Sequence, residues 1–366
     1  MRILHTESSI GWGGQELRIL TEMEGMRRRG HEVRLVTADI AEILPAARAR
    51  ELPADALPIA YKKPRALREM RRWLARNAAS FDVINTHSST DAWLVAMAGA
   101  TVAGMPPVVR TRHVSTPVNN SWTTRWLYQR ATRHIVVTGE ALKAQLVRDN
   151  GFAPARITSV RTGIDLARFR PLDRDAARAR CGVDARPAVA ILATLRDWKG
   201  HDDLLDAWAM LRRDVPGWQL LVIGDGPRRA HLESRVKTEG LAGDVRFVGN
   251  QGDVPAWFAC ADVAVLPSFG DEGVPQSLMQ AAACGLPAVS TPVGAIPEAV
   301  VDGTTGLLVP PRRPPELAQA LATLMRDAAL RERMGRAAHE YAQANFGIDR
   351  MLDAMERVFA DVVERR

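Results

Sequence analysis

The residues best suited to chemistry in this chain gather around Glu272 and the segment it opens, Glu-Gly-Val-Pro-Gln-Ser-Leu-Met-Gln-Ala-Ala-Ala-Cys-Gly-Leu-Pro over positions 272–287. An apolar run at residues 262–267 precedes it, so Glu272 is expected just beyond the carboxyl end of a buried strand, where open α/β sheets bind ligands. Pro275 suits the first turn of a helix, where its missing N–H is not needed, and the mostly apolar residues 278–284 carry that helix to Gly285 and Pro287. The N–H groups of Gln276, Ser277 and Leu278 would then point out of the helix start beside the Glu272 carboxylate. Donors for phosphate oxygens next to an acceptor for hydroxyls suit a sugar nucleotide.

Further groups could also do chemistry. Arg196 and Lys199 follow a nearly continuous apolar run, 188–195, and could clamp a diphosphate: arginine offers a planar fork of donors, lysine a compact charge. A solvated basic turn is the plainer alternative. Near the start, Gly11-Trp12-Gly13-Gly14-Gln15-Glu16 follows an apolar strand at 2–5 and opens a helix; Gly13 and Gly14 would let backbone approach a ligand at the anion-favouring helix end. Strands at 82–86 and 108–112 each end at a histidine, His87 and His113, which can donate to a developing charge or serve as hydrogen-bonded structural residues. Asp173 and Asp175 form an Asp-x-Asp pair, but they sit after Pro171 at the start of a helical stretch, where capping explains them better than a metal.

Apolar runs alternating with helical patterns and Gly/Pro turns predict βαβ units and parallel sheets, with further strands at 31–37, 134–138, 157–161, 218–224 and 245–249. At 366 residues, 46% hydrophobic and 25% charged, the chain has room for two cores. Its three cysteines, Cys181, Cys260 and Cys284, are too scattered for a disulfide framework or structural zinc. No run of about 18 apolar residues exists for a membrane span, and residues 1–5 turn polar too early for a signal peptide, so a cytoplasmic protein is expected. The net charge of +7 is uneven: residues 1–165 hold 24 Lys+Arg against 15 Asp+Glu. No nucleic-acid signature accompanies it. Two stretches interleave basic and aromatic residues, Tyr61-Lys62-Lys63-Pro64-Arg65 running on to Arg76, and Trp122 to Tyr128 running on to Arg133. In the first, Leu67, Met70 and Leu74 fall at helical spacing, so a peripheral helix on an anionic membrane surface competes with a helix packed on its own domain.

Glu272, with Gln280 eight residues later and the Ala-Ala-Ala-Cys-Gly-Leu-Pro after it, resembles the Glu-x7-Glu signature of retaining family 4 glycosyltransferases of bacterial lipopolysaccharide and polysaccharide type. Here the second position is Gln280, and Pro275 replaces the usual glycine. Gly-Gly-x-Glu at 13–16, Val-Arg-Thr-Arg-His at 109–113, Thr162-Gly163-Ile164-Asp165 and Lys199-Gly200 are similar to other segments of that family, although Thr194 stands where its arginine commonly does. The resemblance covers most of residues 1–345 and is strongest over 188–310.

The resemblance implies a GT-B fold: two Rossmann-like, doubly wound α/β domains facing each other across a cleft. The first, 1–168, would lie on the acceptor side and be completed by a C-terminal helix at 349–366; the second, 169–348, would bind the nucleotide sugar. It further implies that Glu272 contacts the transferred sugar, Gln280 the ribose, and Asn250 the region of the base. Gly13, Gly14, Arg196, Lys199, Gln276 and Ser277 would complete the donor site, with His113 beside the sugar. The expected partners are a nucleotide-sugar donor and a glycan or lipid-linked acceptor, with no metal or other cofactor. A sugar-nucleotide epimerase on a similar frame and a non-catalytic nucleotide-sugar sensor are the rival readings.

Overall fold

The computed structural model describes residues 1–270 and 272–365. Asp271, inside the loop leading to Glu272, and Arg366, the expected end of the last helix, lie outside the described residues. The chain divides into two compact units: unit 1 runs from Met1 to Gly163 and resumes at Ile348, and unit 2 is the continuous stretch Ile164–Gly347.

Unit 1 is built on a parallel sheet of β1 (Arg2–Glu7), β2 (Glu32–Ala38), β3 (Ala54–Leu57), β4 (Val83–Thr86), β5 (Val108–Arg112), β6 (His134–Val137) and β7 (Ile157–Ser159). Their order in the sheet is β3-β2-β1-β4-β5-β6-β7, so the winding reverses between β1 and β4. Ile3, Leu4, Val83, Ile84 and Val109 are buried with helices covering them, as the unbroken apolar runs require of parallel strands.

The helix Ile348–Glu364 belongs to this unit, and its Met351, Leu352, Met355, Val358, Phe359 and Val362 are buried in the same core. It lies so close to the helix Gly14–Arg28 that a Cβ on Gly25 would come within 2.4 Å of Leu352 Cδ1. Arg29 extends that contact with ion pairs to Asp353 at 2.7 Å and Glu356 at 3.1 Å.

Unit 2 repeats the plan with β8 (Ala188–Leu192), β9 (Gln219–Ile223), β10 (Val245–Gly249), β11 (Val263–Leu266), β12 (Ala288–Ser290) and β13 (Gly306–Leu308), ordered β10-β9-β8-β11-β12-β13. Here the reversal falls between β8 and β11. The apolar run at 188–195 outlasts its strand for a packing reason. After Leu192 the backbone turns away, and Leu195, fully buried, donates its N–H to the Asp225 carbonyl at 3.0 Å.

Two expectations need correction. The helix Pro64–Asn77 does not present an interfacial apolar stripe: Met70 and Leu74 are completely buried in the unit 1 core, with Leu67 packed against it. Those side chains face the sheet and the helix Ser89–Gly99, leaving the basic face outward. In the second basic and aromatic stretch, Trp122 is exposed, but Trp126 stacks on Trp93 at 6.1 Å and Tyr128 on Phe152 at 5.2 Å, both within unit 1. Among the described residues, no helix is long and apolar enough to cross a membrane. The three cysteines are free thiols, and burial pushes Cys260 and Cys284 up to about 12. Asp173 caps the helix Arg174–Cys181, its Oδ1 accepting from the Ala176 N–H at 2.8 Å.

Candidate functional site

In unit 2 the polar side chains converge where the sheet reverses. Arg196 and Lys199 lie on the turn after β8, and Glu272 lies on the loop after β11, the adjacent strand. The two segments are joined at two points: Phe269 N–H donates to the Trp198 carbonyl at 2.9 Å, and Lys199 Nζ donates to Glu272 Oε1 at 2.6 Å. Ser268 Oγ donates to the same carboxylate oxygen at 2.7 Å.

The close approach explains the glycine after Lys199. Gly200 sits at φ +75°, and a Cβ there would lie 2.1 Å from the Pro267 carbonyl oxygen at the end of β11. The other side of the Glu272 loop is held similarly. Ala295 N–H donates to the Glu272 carbonyl at 3.1 Å, and Gly294, at φ +57°, leaves no room for a Cβ, which would be 2.1 Å from that oxygen. Backbone thus fixes Glu272 before its side chain is considered, a preorganisation that charge-stabilising sites need.

The helix Gln276–Ala283 starts at an N-cap Pro275, one residue later than expected. Gln276, Ser277 and Leu278 are its first three residues, so their N–H groups have no carbonyl one turn earlier within the helix. Gln280 is half-buried further along it. Arg196 is exposed, and its guanidinium lies over the Trp198 ring at 5.1 Å rather than on Glu272. Lys199 alone therefore forms the direct charged link. Asn250 follows β10 at the outer edge of the sheet and is exposed, two strands from β8. Sequence reasoning missed Ser268 and the buried His201, at the start of the helix after Lys199; burial and then the Lys199 charge depress His201 to about 4.

In unit 1 the reversal holds a row of three histidines. His5 Nδ1 is 3.0 Å from His87 Nε2, and His87 Nδ1 is 3.0 Å from His113 Nε2. The first pair of rings is stacked, with centroids 5.3 Å apart. Burial depresses His5 to about 3; burial first, then neighbouring cationic or imidazole groups, holds His87 and His113 well below the ordinary histidine value. All three are neutral at neutral pH, so each contact has one donor and one acceptor and the tautomers are coupled. Asp91 steadies the middle member, accepting from His87 N–H at 3.0 Å and Ser88 N–H at 2.9 Å while capping the helix Ser89–Gly99. His5 was legible only as part of the first strand, because its partners are distant in sequence.

The Gly-rich turn reads differently in detail. Gly13 is the N-cap of the helix Gly14–Arg28 in an extended conformation open to any residue, and a Cβ there would meet nothing closer than Glu16 Oε2 at 3.7 Å. Beneath the turn, Glu7 accepts from the Ser9 N–H at 2.6 Å and from the Gln15 side chain. Burial first, then the Asp91 charge, raises Glu7 to about 8. Among the described residues, no group of three or more His, Cys, Asp or Glu is placed to hold a metal ion.

Two parallel doubly wound units, each with its polar groups at the reversal, define the GT-B glycosyltransferase architecture. Residues 186–327 match the family described as Glycosyl transferases group 1, and residues 12–168 match Glycosyltransferase Family 4. The D-inositol 3-phosphate glycosyltransferase of Saccharomonospora viridis is 33% identical over 304 residues, spanning 80% of this chain and 67% of that protein. The protein of the same name from Kribbella flavida is 31% identical over 303 residues, spanning 75% and 70%. HepE of Anabaena, solved in complex with UDP, shares the fold at a TM-score of 0.87 and 20% identity, covering 99% of this chain and 100% of its own. The chain belongs to the family 4 glycosyltransferases.

Proposed function

We propose that the protein transfers a sugar from a nucleotide-diphosphate sugar to a glycan or lipid-linked acceptor in cell-surface polysaccharide synthesis, with retention at the anomeric carbon and without a metal ion. The observation that carries this reading is the Lys199–Glu272 pair, 2.6 Å apart and held by backbone on both sides at the unit 2 reversal. The Lys199 ammonium has three donors and uses one on Glu272, so the others can neutralise charge growing on a departing diphosphate. Helix-start amides at Gln276 and Ser277 add fixed donors, and Arg196 adds a second cation when it leaves Trp198. Glu272 orients the sugar through its hydroxyls, Gln280 holds the ribose and Asn250 the base side. In unit 1, Gly13 and Gly14 leave room at the helix start, and His113 contributes a neutral imidazole.

The relatives named above glycosylate an inositol phosphate, and HepE was solved with UDP, which supports a uridine diphosphate sugar as the first donor to try. The basic outer face of the helix Pro64–Asn77 supports a salt-sensitive, purely electrostatic approach to an anionic membrane from the cytoplasm, without insertion.

The test is incubation with a donor panel, with and without acceptors. Acceptor-dependent transfer with the donor's anomeric configuration kept is expected, and it should survive EDTA. Turnover without acceptor would indicate an epimerase, and binding without turnover a sensor. Loss of transfer in EDTA with recovery in magnesium or manganese would overturn the metal-free mechanism.

A further inference from the structure

Among the described residues two non-glycines have positive φ, Glu51 at +56° and Arg312 at +57°. Glu51 follows the helix Ile43–Ala49, and its N–H donates to the Arg48 carbonyl at 2.9 Å, so it sits where a helix commonly ends in the left-handed region. Arg312 has no such reason. It lies between β13 and the helix Pro314–Arg326, in the run Pro310-Pro311-Arg312-Arg313-Pro314-Pro315, and its Cβ is crowded by its own backbone there. Both flanks are anchored. Val309 N–H donates to the Ser290 carbonyl at 2.8 Å, and Leu317, Leu321 and Leu324 of the helix are buried in the unit 2 core. Strain of this kind persists only where the surroundings over-determine it, and it gathers where positioning matters.

The strained backbone places a side chain. The Arg312 guanidinium lies over the Phe269 ring, 4.0 Å from its centre, the closest such contact among the described residues. Phe269 is the residue whose N–H reaches the Trp198 carbonyl at 2.9 Å, one position before Lys199. Its predecessor Ser268 donates to Glu272 Oε1 at 2.7 Å. Its successor Gly270 is pressed on the indole-bearing residue of the turn, since a Cβ there would lie 2.6 Å from Trp198 Cβ. Ser268, Phe269 and Gly270 therefore touch the Trp198–Lys199 turn, the Glu272 carboxylate and Arg312. The Phe269 ring is half-buried, and the guanidinium covers part of what remains.

We infer that Arg312 is a positioning residue: its side chain, aimed by the left-handed turn, braces Phe269 and so holds Ser268 and the Glu272 carboxylate against the Lys199 turn. The consequence for sugar transfer rests on the transferase reading; the brace itself does not. Loss of an ordinary packing contact lowers stability and activity together. Arg312→Gly differs, because glycine relaxes the strained backbone while the brace disappears, so stability should hold while positioning fails.

The experiment uses the full chain as wild type, Arg312→Gly, Arg312→Lys, Phe269→Leu and the double variant Arg312→Gly with Phe269→Leu. Melting temperature, amide hydrogen exchange, and kcat and KM of transfer with the donor found active in the panel are measured on each. Arg312→Gly should melt no lower than wild type. Its Phe269 amide should exchange about tenfold faster, with the β9 amides unchanged, because the opening is local. kcat/KM for the donor should fall about tenfold, the scale of a small misplacement at the reacting atoms. Arg312→Lys should lose about threefold, since an ammonium keeps the charge over the ring without the planar stacking. The double variant should fall no further than the worse single one, as both changes break one contact. Unchanged Phe269 exchange in Arg312→Gly, a kcat/KM within about twofold of wild type, additive losses in the double variant, or a lower melting temperature with faster exchange through β9 would each overturn the brace. If wild type turns over no nucleotide sugar while Phe269 exchange responds as expected, the transferase reading fails and the brace stands.

Discussion

The reversals of the two sheets occupy the same place in the same topology and are furnished in opposite ways. In unit 2 a lysine and a glutamate from adjacent strand ends meet at 2.6 Å, with glycines at 200 and 294 where any side chain would collide with backbone. In unit 1 the corresponding strand ends carry neutral imidazoles in a row, and the cations beside them face a cavity without carboxylates. The first is a charge pair in direct contact; the second sets cations on hydroxyl and carbonyl acceptors beside a row of neutral rings. The fold thus dictates where polar chemistry collects, while the residues at the strand ends decide whether charges there meet directly or rest on neutral groups.

The sharpest way to break that contrast is Lys199→Ala. Removing a donor whose interaction grows in the transition state should cost about 2–4 kcal/mol, so turnover should fall roughly a hundredfold or more. Activity near that of wild type would take the ion pair out of the mechanism. Next comes His87→Phe, which keeps a stacked ring but deprives His5 Nδ1 and His113 Nε2 of their partner. Each buried orphan costs about 1–3 kcal/mol. A lower melting temperature together with a reduced kcat at unchanged KM is expected; a melting shift with kcat intact would make the row purely structural. Smaller still, Gln280→Ala should weaken nucleotide-sugar binding by about tenfold for one lost hydrogen bond, with Gln280→Glu retaining activity. Unchanged affinity in Gln280→Ala would place that side chain outside the donor site.

The smallest effect is on stability against pH. His5 falls from 6.5 to about 3 on folding, so its contribution is complete above 6.5 and lost as pH drops toward 3. Glu7 and Glu22 rise from 4.5 to about 8 and about 7, chiefly through burial, so theirs is complete below 4.5 and lost as pH rises through 7 and 8. With His87 and His113 acting as His5 does, unit 1 should be most stable near the ordinary histidine value of 6.5 and decline on both sides. Glu7→Gln should flatten the alkaline decline in a melting series; an unaltered alkaline limb would show that Glu7 ionises as readily folded as unfolded.

Much of unit 2 was legible because its chemistry is local. The Lys-Gly turn and the Glu272 loop each follow an apolar run directly, so strand-end logic finds them, and the parallel order makes them neighbours. Ser268, four residues before Glu272, could have been found the same way. Unit 1 hid its arrangement in register. His5 lies opposite Asn85 and Thr86 opposite Arg110, pairings that neither composition nor spacing reveals. For the same reason Lys62 and Tyr128 read as surface aromatics and basic residues, whereas both line one cavity. The stripe Leu67, Met70 and Leu74 has the same spacing whether a helix lies on lipid or on its own sheet, and only the tertiary structure selects the sheet.

The order in which the chain is made has an unusual consequence here. Domains generally fold from the N-terminus onward during synthesis. Unit 2, continuous from Ile164 to Gly347, emerges from the ribosome entire, whereas unit 1 lacks Met351, Leu352, Met355 and Phe359 until the helix Ile348–Glu364 is translated. Unit 1, begun before unit 2, is therefore completed after it, with the apolar side of the helix Gly14–Arg28 uncovered meanwhile. A nascent chain arrested shortly after Gly347 should hold a protease-resistant unit 2 and a protease-sensitive unit 1, and release of the helix Ile348–Glu364 should close unit 1.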